Sequence, residues 1–425
     1  MTAGVGASSG TTGSAWTRRE GVLLLAVLGG GLVLRSALIG TEGFRDDMDQ
    51  FARWIAHIAT AGLGQLYTDN PGGPVTFGPV MGYVWAVLAA IQPAFAAATD
   101  ASDPALNALM KVPASLADAG IAGLVVVALR ERPRWAVAGA AAVLLHPAVI
   151  DVSAWWGQYE SIYVLPGMAG LLAASRGRNG LAAALLAVSL ATKPQAIPFL
   201  LPFAAWCWAT GGWREVVRCA VVGAGTLVVL WLPFVAAGGP LRYLENVAYY
   251  QREVFDVLSV RAWNPWTILQ EAIAGGRFIA DDEPLVGPLS LRVVGYVVTG
   301  LASLAIMAAV VRRPTGRTLT LAMTASVLVF FVGMTQMHER YAYAALMLPI
   351  PLLAERPLRA WWLMLSAVVT INLLAAIPPA PWIGEILPPT GPLAVVGSIA
   401  MTALTAWMLW VLVRPAAARR PPVGS

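Results

Sequence analysis

Five short polar stretches interrupt an otherwise apolar chain: Arg45-Asp46-Asp47-Met48-Asp49, Asp151 to Ser161 (DVSAWWGQYES), Thr192-Lys193-Pro194-Gln195, Val260 to Trp266 (VRAWNPW) and Gln336 to Tyr341 (QMHERY). Their residue types suit one kind of chemistry. A carboxylate in a wet cleft can take the proton of a hydroxyl nucleophile. Lysine and arginine near a histidine can hold a phosphate through charge-assisted hydrogen bonds. Aromatic neighbours offer flat apolar faces to a sugar ring or an isoprenoid. Base, phosphate clamp and lipid access together imply group transfer from a lipid phosphate donor. No Walker loop and no strand–Gly-rich-loop–helix unit is present, which disfavours a nucleotide-linked donor, and His57, His146 and His338 are too scattered to form a metalloprotease pair.

Each stretch also has a plainer reading. Asp46, Asp47 and Asp49 would suit a solvated loop, Lys193 and Arg261 the snorkelling ends of helices, and His338 a helix terminus. Most of the 17 tryptophans belong to the expected aromatic belts. What favours function is that the stretches share one side of the membrane, as the placement of the surrounding elements requires.

Of 425 residues, 58% are apolar and 12% charged, against roughly 25% charged in a soluble domain. Mean hydropathy is +0.68. This excludes a soluble multidomain protein, a disordered chain and a basic nucleic-acid-binding domain, and two cysteines exclude a disulfide scaffold. The expected class is an all-α, polytopic membrane protein of about twelve spans, near 21–39, 105–129, 135–150, 160–175, 180–192, 194–210, 217–237, 291–311, 318–335, 341–354, 360–376 and 392–413. Residues 1–15, rich in Gly, Ser and Thr, read as a disordered tail, 16–413 as one membrane domain, and 414–425 as a cytoplasmic tail. The run after Arg18 and Arg19 has no small-x-small cleavage pattern and is expected to remain as an anchor.

Residues 77–98 are apolar enough to span, but counting them would put the Arg130–Arg134 segment outside. They are therefore expected as an interfacial or re-entrant helix within a long outer loop, 40–104. With that assignment, 17 of the 28 basic residues fall inside, with four carboxylates, leaving +13 inside and −8 outside, which together make the chain's +5. The bias follows the positive-inside rule and places both termini in the cytoplasm. It also puts the polar stretches on the outer face, where the loops 40–104 and 238–290 can roof a cavity. In the second loop, Leu241, Leu244, Ala248, Val254, Phe255 and Leu258 recur at roughly helical spacing, the pattern of an amphipathic helix on a membrane surface.

Taken in order, these motifs make the chain resemble the GT-C fold glycosyltransferases, and among them the glucosyltransferases that use dolichyl-phosphate glucose to extend a lipid-linked oligosaccharide. The resemblance runs from about Asp46 to Leu353. An acidic first-loop pair followed by Trp is matched by Asp47, Asp49 and Trp54, an aromatic-Tyr element by Leu66-Tyr67, and a Pro-rich Tyr segment by Thr76 to Tyr83. Met110, Lys111, Ala117 and Asp118 match a Met-basic helix ending in Ala-Asp. Trp156 to Glu160 stands for a His-Phe-Gln-Tyr-Asn motif, Lys193-Pro194-Gln195 for a Lys-Gln pair, Arg261 to Trp266 for basic-Val-Ala-Asn-x-Trp, and His338-Glu339-Arg340 for His-Glu-Lys.

The resemblance implies an inverting transferase with Asp47 as base and Asp49 positioning the acceptor or the base. It implies donor-phosphate contacts from Lys193, Arg261, His338 and Arg340. A sugar and acceptor pocket would draw on Trp54, Tyr67, Trp156, Gln158, Tyr159, Glu160, Gln195, Trp263 and Glu339. The substrates implied are a polyprenyl-phosphate-linked hexose, glucose or mannose, and a lipid-linked glycan or glycolipid, with no nucleic acid. No cofactor is expected; a divalent metal, if one were used, would sit at Asp46, Asp47 and Asp49. Departures fall on the pocket wall: Glu160 replaces an amide, Gly157 an aromatic, and Pro79 alone remains of a proline pair. An arginine- and alanine-rich, lysine-poor composition points to a bacterial polyprenyl carrier, the plasma (inner) membrane and an extracytoplasmic site. A secondary transporter is the rival class, but it should show internal repeats and midplane charges, and the chain shows neither. A flippase for lipid-linked sugars would bind the same ligand without needing a base.

Overall fold

The computed structural model describes residues 16–286 and 289–414, so the tail expected at 1–15 and nearly all of the one at 414–425 lie outside the described residues. The first helix, α1 (Arg18–Leu38), starts on a Thr17–Glu20 capping box. The first loop then folds into α2 (Arg45–Ala61) and α3 (Pro79–Ile91), joined by an aromatic core in which Phe51, Trp54, Phe77 and Trp85 pack with centroids 5.3–6.2 Å apart. At 13 residues, α3 is too short to cross a bilayer core of about 30 Å.

Next come α4 (Pro104–Ala128), α5 (Pro133–Leu144) and α6 (Pro147–Ile150), the last running into a π-helical turn, Asp151–Trp156. The chain continues through α7 (Glu160–Ser175), α8 (Asn179–Leu190) and α9 (Ile197–Val235). At 39 residues α9 would be about 58 Å long if straight, but Gly212 takes φ +65° and ψ −162° and reverses the chain. Both ends of α9 consequently meet the first loop. Gly78 N–H donates to the Thr192 carbonyl at 3.0 Å just before α9, and Tyr83 OH donates to the Leu230 carbonyl at 2.9 Å near its end.

The second loop opens with α10 (Gly239–Tyr249), followed by β1 (Ser259–Val260), α11 (Pro265–Ala274), β2 (Pro284–Val286) and β3 (Leu289–Ser290). Leu241 and Leu244 are exposed along α10, as a surface-lying helix requires, but the helix ends at Tyr249 and Leu258 is wholly buried, so the expected amphipathic stripe does not continue to 258. The remaining elements are α12 (Leu291–Arg312), α13 (Gly316–Gly333), β4 (Met337–His338), α14 (Tyr343–Met347), α15 (Arg356–Ala376), α16 (Pro381–Ile386) and α17 (Pro392–Val413). Strand β1 pairs in parallel with β4, Ser259 opposite Met337 and Val260 opposite His338.

Among the described residues, seven helices are long and apolar enough to cross a membrane, and α5 with α6, bent by 47°, makes an eighth. The protein is an all-α, integral membrane protein. Each of the twelve stretches expected as spans is helical, but not all are independent rods. Two of them are the halves of α9, α7 and α8 are short, and 341–354 breaks into 3₁₀ turns around α14. In that last segment Tyr343 to Leu348 are wholly buried, so its apolar character serves protein packing rather than lipid contact.

Candidate active site

A cavity of about 270 Å³ opens beneath the loops 40–104 and 238–290. One wall is α2. Asp47, Gln50, Phe51 and Trp54 line it at the i, i+3, i+4, i+7 spacing of a single helix face. The opposite wall carries Thr335, Gln336, His338, Arg340 and Tyr341, and Gln158, Lys193 and Gln195 also border the cavity. The far end is apolar, with Ile197 and Pro198 of α9, Tyr296 of α12, and Val327 and Phe330 of α13 leading down between the spans.

Asp47 lies in the first turn of α2, where a carboxylate is favoured by the helix dipole. Its Oδ2 accepts hydrogen bonds from Trp156 Nε1 at 2.8 Å and Gln158 Nε2 at 2.5 Å. Both donors come from the turn that ends the π-helical segment, and Gly157 between them holds φ +91°. A Cβ there would lie 2.4 Å from Met48 Sδ, so only glycine lets this turn press against α2. That accounts for the missing aromatic at this position.

Lys193 is the extended residue before Pro194, a conformation that proline favours in its predecessor. Its Nζ is buried 2.5 Å from Glu160 Oε1 and 3.5 Å from Gln158 Oε1, with the Phe77 ring 5.1 Å away. Burial lowers its pKa and Glu160 opposes that shift. Arg340 comes from the 3₁₀ turn after β4. Its Nε lies 3.4 Å from the same Glu160 oxygen, its Nη1 donates to Glu339 at 2.9 Å, and its guanidinium covers the Trp156 ring at 5.0 Å. Burial raises the Glu339 pKa, opposed by Arg340. Burial, reinforced by Arg340 and Lys193, drives His338 well below its ordinary value, so the ring is neutral. Arginine only donates, so His338 Nδ1 accepts from Arg340 Nη1 at 3.2 Å and the ring proton sits on Nε2. Among the described residues, Arg340 Nε, Glu160 Oε2 and Gln195 Oε1 are buried without hydrogen-bond partners. The arrangement can accept a proton at Asp47, hold an anion between Lys193 and Arg340, and seat an apolar tail.

The structure therefore brings Asp47, Trp54, Gln158, Lys193, Gln195, His338 and Arg340 to one cavity, with Trp156, Glu160 and Glu339 directly behind it. Other expected residues lie elsewhere. Asp49 points off the opposite side of α2, accepting the Ala101 N–H at 2.8 Å and pairing with Arg45 at 3.6 Å. Tyr67 is buried and donates to the Phe77 carbonyl at 2.9 Å, and Tyr159 packs on Phe51 at 4.8 Å. The Arg261 guanidinium rests 4.8 Å over Phe278, away from the cavity, and Trp263 is buried against α17. Asp46 is exposed and Asp49 is turned to Ala101, and among the described residues Asp46, Asp47 and Asp49 do not gather into a metal-binding group. Gln50, Thr76, Phe77, Tyr250 and Tyr341 complete the lining. Of these, Gln50 is legible from its helical spacing to Asp47, whereas Tyr250 reaches the cavity only through the π-helical turn that ends α10.

Residues 116–378 match the sequence profile of the ALG6, ALG8 glycosyltransferase family. That segment contains Gln158, Lys193, His338 and Arg340, while Asp47 lies upstream of it. A comparison with curated proteins finds no match.

Proposed function

Because the chain belongs to the ALG6, ALG8 glycosyltransferase family, we propose that this membrane glycosyltransferase moves a hexose, glucose or mannose, from a polyprenyl phosphate to a hydroxyl of a lipid-linked glycan or glycolipid. Work on a lipid-linked sugar follows from the family. The donor, the sugar and the outer-face location are our reading. The single observation that carries it is one cavity lined by the carboxylate of Asp47, by the cations Lys193 and Arg340, and by apolar residues of α9, α12 and α13.

The reaction is a displacement with inversion. Asp47 takes the acceptor O–H proton as that oxygen bonds to the anomeric carbon. The bond from that carbon to the phosphate oxygen breaks, and the electron pair leaves on polyprenyl phosphate. Lys193 and Arg340 offset the growing phosphate charge, and neutral His338 donates from Nε2. Trp156 and Gln158 hold Asp47 through Oδ2, leaving Oδ1 for the acceptor. The isoprenoid lies along Ile197, Tyr296 and Phe330. We assign no metal to the first-loop carboxylates, since they face different surroundings. The arginine-rich inner segments support cytoplasmic termini and an outer active site, and the arginine- and alanine-rich, lysine-poor composition supports a bacterial plasma membrane.

The test is purified protein incubated with a panel of polyprenyl-phosphate sugars and short lipid-linked acceptors, read by mass spectrometry. Asp47→Asn should abolish transfer while donor still binds. Unchanged transfer would remove Asp47 as the base, and donor binding without transfer to any acceptor would favour a flippase.

A further inference from the structure

Arg261 has an unusual main chain for its residue type. Its φ is +61°, and Gln336 across the β1–β4 pair holds +62°. Such angles are uncommon outside glycine and persist where the surroundings impose them. Here the constraint is visible. Asn372, a residue of α15 that is 1% exposed, donates from Nδ2 to the Arg261 carbonyl at 2.8 Å and accepts the Trp263 N–H on Oδ1 at 3.0 Å. One buried amide thus clasps both ends of the 261–263 turn. Trp263 seats against α17, where a Cβ on Gly397 would lie 2.0 Å from its ring. Asn264 Nδ2 and Trp266 Nε1 then donate to the Phe331 and Gly333 carbonyls, both at 3.1 Å, at the end of α13.

What the clasp holds is the segment carrying Arg340, one of the cavity's two cations. Arg261 forms a backbone bridge to His338, and Val260 is paired with the same residue. Arg340 follows two residues later. The Arg261 side chain takes no part in the cavity: it lies over Phe278 and donates from Nη1 to the Gly276 carbonyl at 3.4 Å.

We propose that Arg261 acts through its main chain. Asn372 locks the 261–263 turn, the turn registers β1 on β4, and that register sets His338 and Arg340 against the donor phosphate. Asn372 is a positioning residue, and the Arg261 guanidinium makes no donor contact. This rests on the assignment of His338 and Arg340 to the donor phosphate made above.

Arg261→Gly against Arg261→Val decides the matter. Glycine adopts the positive φ freely, whereas a β-branched residue resists it. The probe is polyprenyl phosphate in detergent micelles, alongside transfer kinetics with a polyprenyl-phosphate glucose. Arg261→Gly should bind polyprenyl phosphate within about twofold of wild type. Arg261→Val and Asn372→Ala should weaken it about tenfold or more, the scale expected when a contact is misplaced by about 1 Å. Because His338 and Arg340 also stabilise the leaving phosphate, kcat should fall as well, while the KM for acceptor stays within about threefold; general loss of folded enzyme would lower kcat and leave donor affinity unchanged. If Arg261→Gly loses binding as severely as Lys193→Ala, the guanidinium is a donor contact and the inference fails. If Asn372→Ala lowers folded yield but binds normally, the clasp is merely structural and the inference fails again. Wild-type protein that does not bind polyprenyl phosphate overturns the functional reading, and this inference with it. Should the other two not fold, the Gly variant still decides whether the guanidinium meets the donor.

Discussion

Glu160 Oε1 stands 2.5 Å from Lys193 Nζ, with both side chains buried, and the same oxygen lies 3.4 Å from Arg340 Nε. One carboxylate therefore compensates two cavity cations before any phosphate arrives. Removing one partner of a buried pair leaves an uncompensated charge and costs about 3–5 kcal/mol. Glu160→Gln should accordingly lower the thermal midpoint in detergent. Polyprenyl phosphate should then stabilise the variant more than wild type, because its charge replaces the one removed. Equal ligand-induced shifts in the two proteins would show that Lys193 and Arg340 do not meet the phosphate.

Gln158 joins the two halves of the chemistry, its Nε2 on Asp47 and its Oε1 facing Lys193. Gln158→Leu should reduce kcat about ten- to a hundredfold, the range for a misoriented base. Donor KM should change less, since the cations remain. Steady-state kinetics with both substrates varied will separate these terms; a variant altered only in donor KM would place Gln158 on the sugar instead.

Much of this arrangement is legible in the amino-acid sequence. Only two of the 28 basic residues are lysine, and both Lys111 and Lys193 are buried beneath the loops rather than on the arginine-rich surface. Asp47 and Asp49 also carry their separation in the sequence. Two residues apart on a helix means about 200° around its axis, so they cannot serve one site side by side. What is not legible is direction. Nothing in Arg261-Ala262-Trp263-Asn264 announces a positive φ at arginine, because that angle is imposed by Asn372 more than a hundred residues away. Nor does apolarity distinguish lipid from core: residues 343–348 read as part of a span yet are enclosed by protein.

His338 gives the pH dependence a sign. Its pKa is held well below the ordinary 6.5. A depressed value means the unfolded state binds the proton first, so the stability this ring contributes is complete above about pH 6.5 and is lost as pH falls below it. Buried Glu339 has the opposite sign, its raised pKa giving stability that is lost as pH rises through the folded value. The difference between wild type and His338→Gln isolates the histidine. On acidification below about pH 6.5, wild type should lose up to about 1.4 kcal/mol per pH unit more than the variant. Parallel thermal midpoints across that range would mean that His338 is already protonated in the folded protein.

Asp118 fits the Met-basic-Ala-Asp motif but lies within the bundle. It accepts from Arg35 at 2.7 Å, Ser153 at 2.6 Å, Tyr343 at 3.0 Å and also Ser161, tying α1, α4, the π-helical turn, α7 and α14 together. Asp118→Asn or Arg35→Met alone should destabilise by about 3–5 kcal/mol, while Asp118→Leu with Arg35→Met should recover most of that loss. Neither single change should alter donor KM in the enzyme that remains folded. Midpoints for the singles no lower than for the double would show that the hydroxyls of Ser153, Ser161 and Tyr343, rather than the ion pair, carry the stability.

The apolar end of the cavity makes the last prediction specific to the lipid. Ile197 is 43% exposed and Tyr296 47% exposed at the channel between α9 and α12, where an isoprenoid would cover them. Replacing either by serine removes apolar contact worth about 1–1.5 kcal/mol, which is about five- to twelvefold in affinity. The loss should appear with a long polyprenyl donor and vanish with a donor shortened to its first isoprene units, because only the long chain reaches that far. Donor KM measured across a series of chain lengths tests this directly. A penalty independent of chain length would mean that these residues support the head-group site instead, and that the tail leaves the protein by another route.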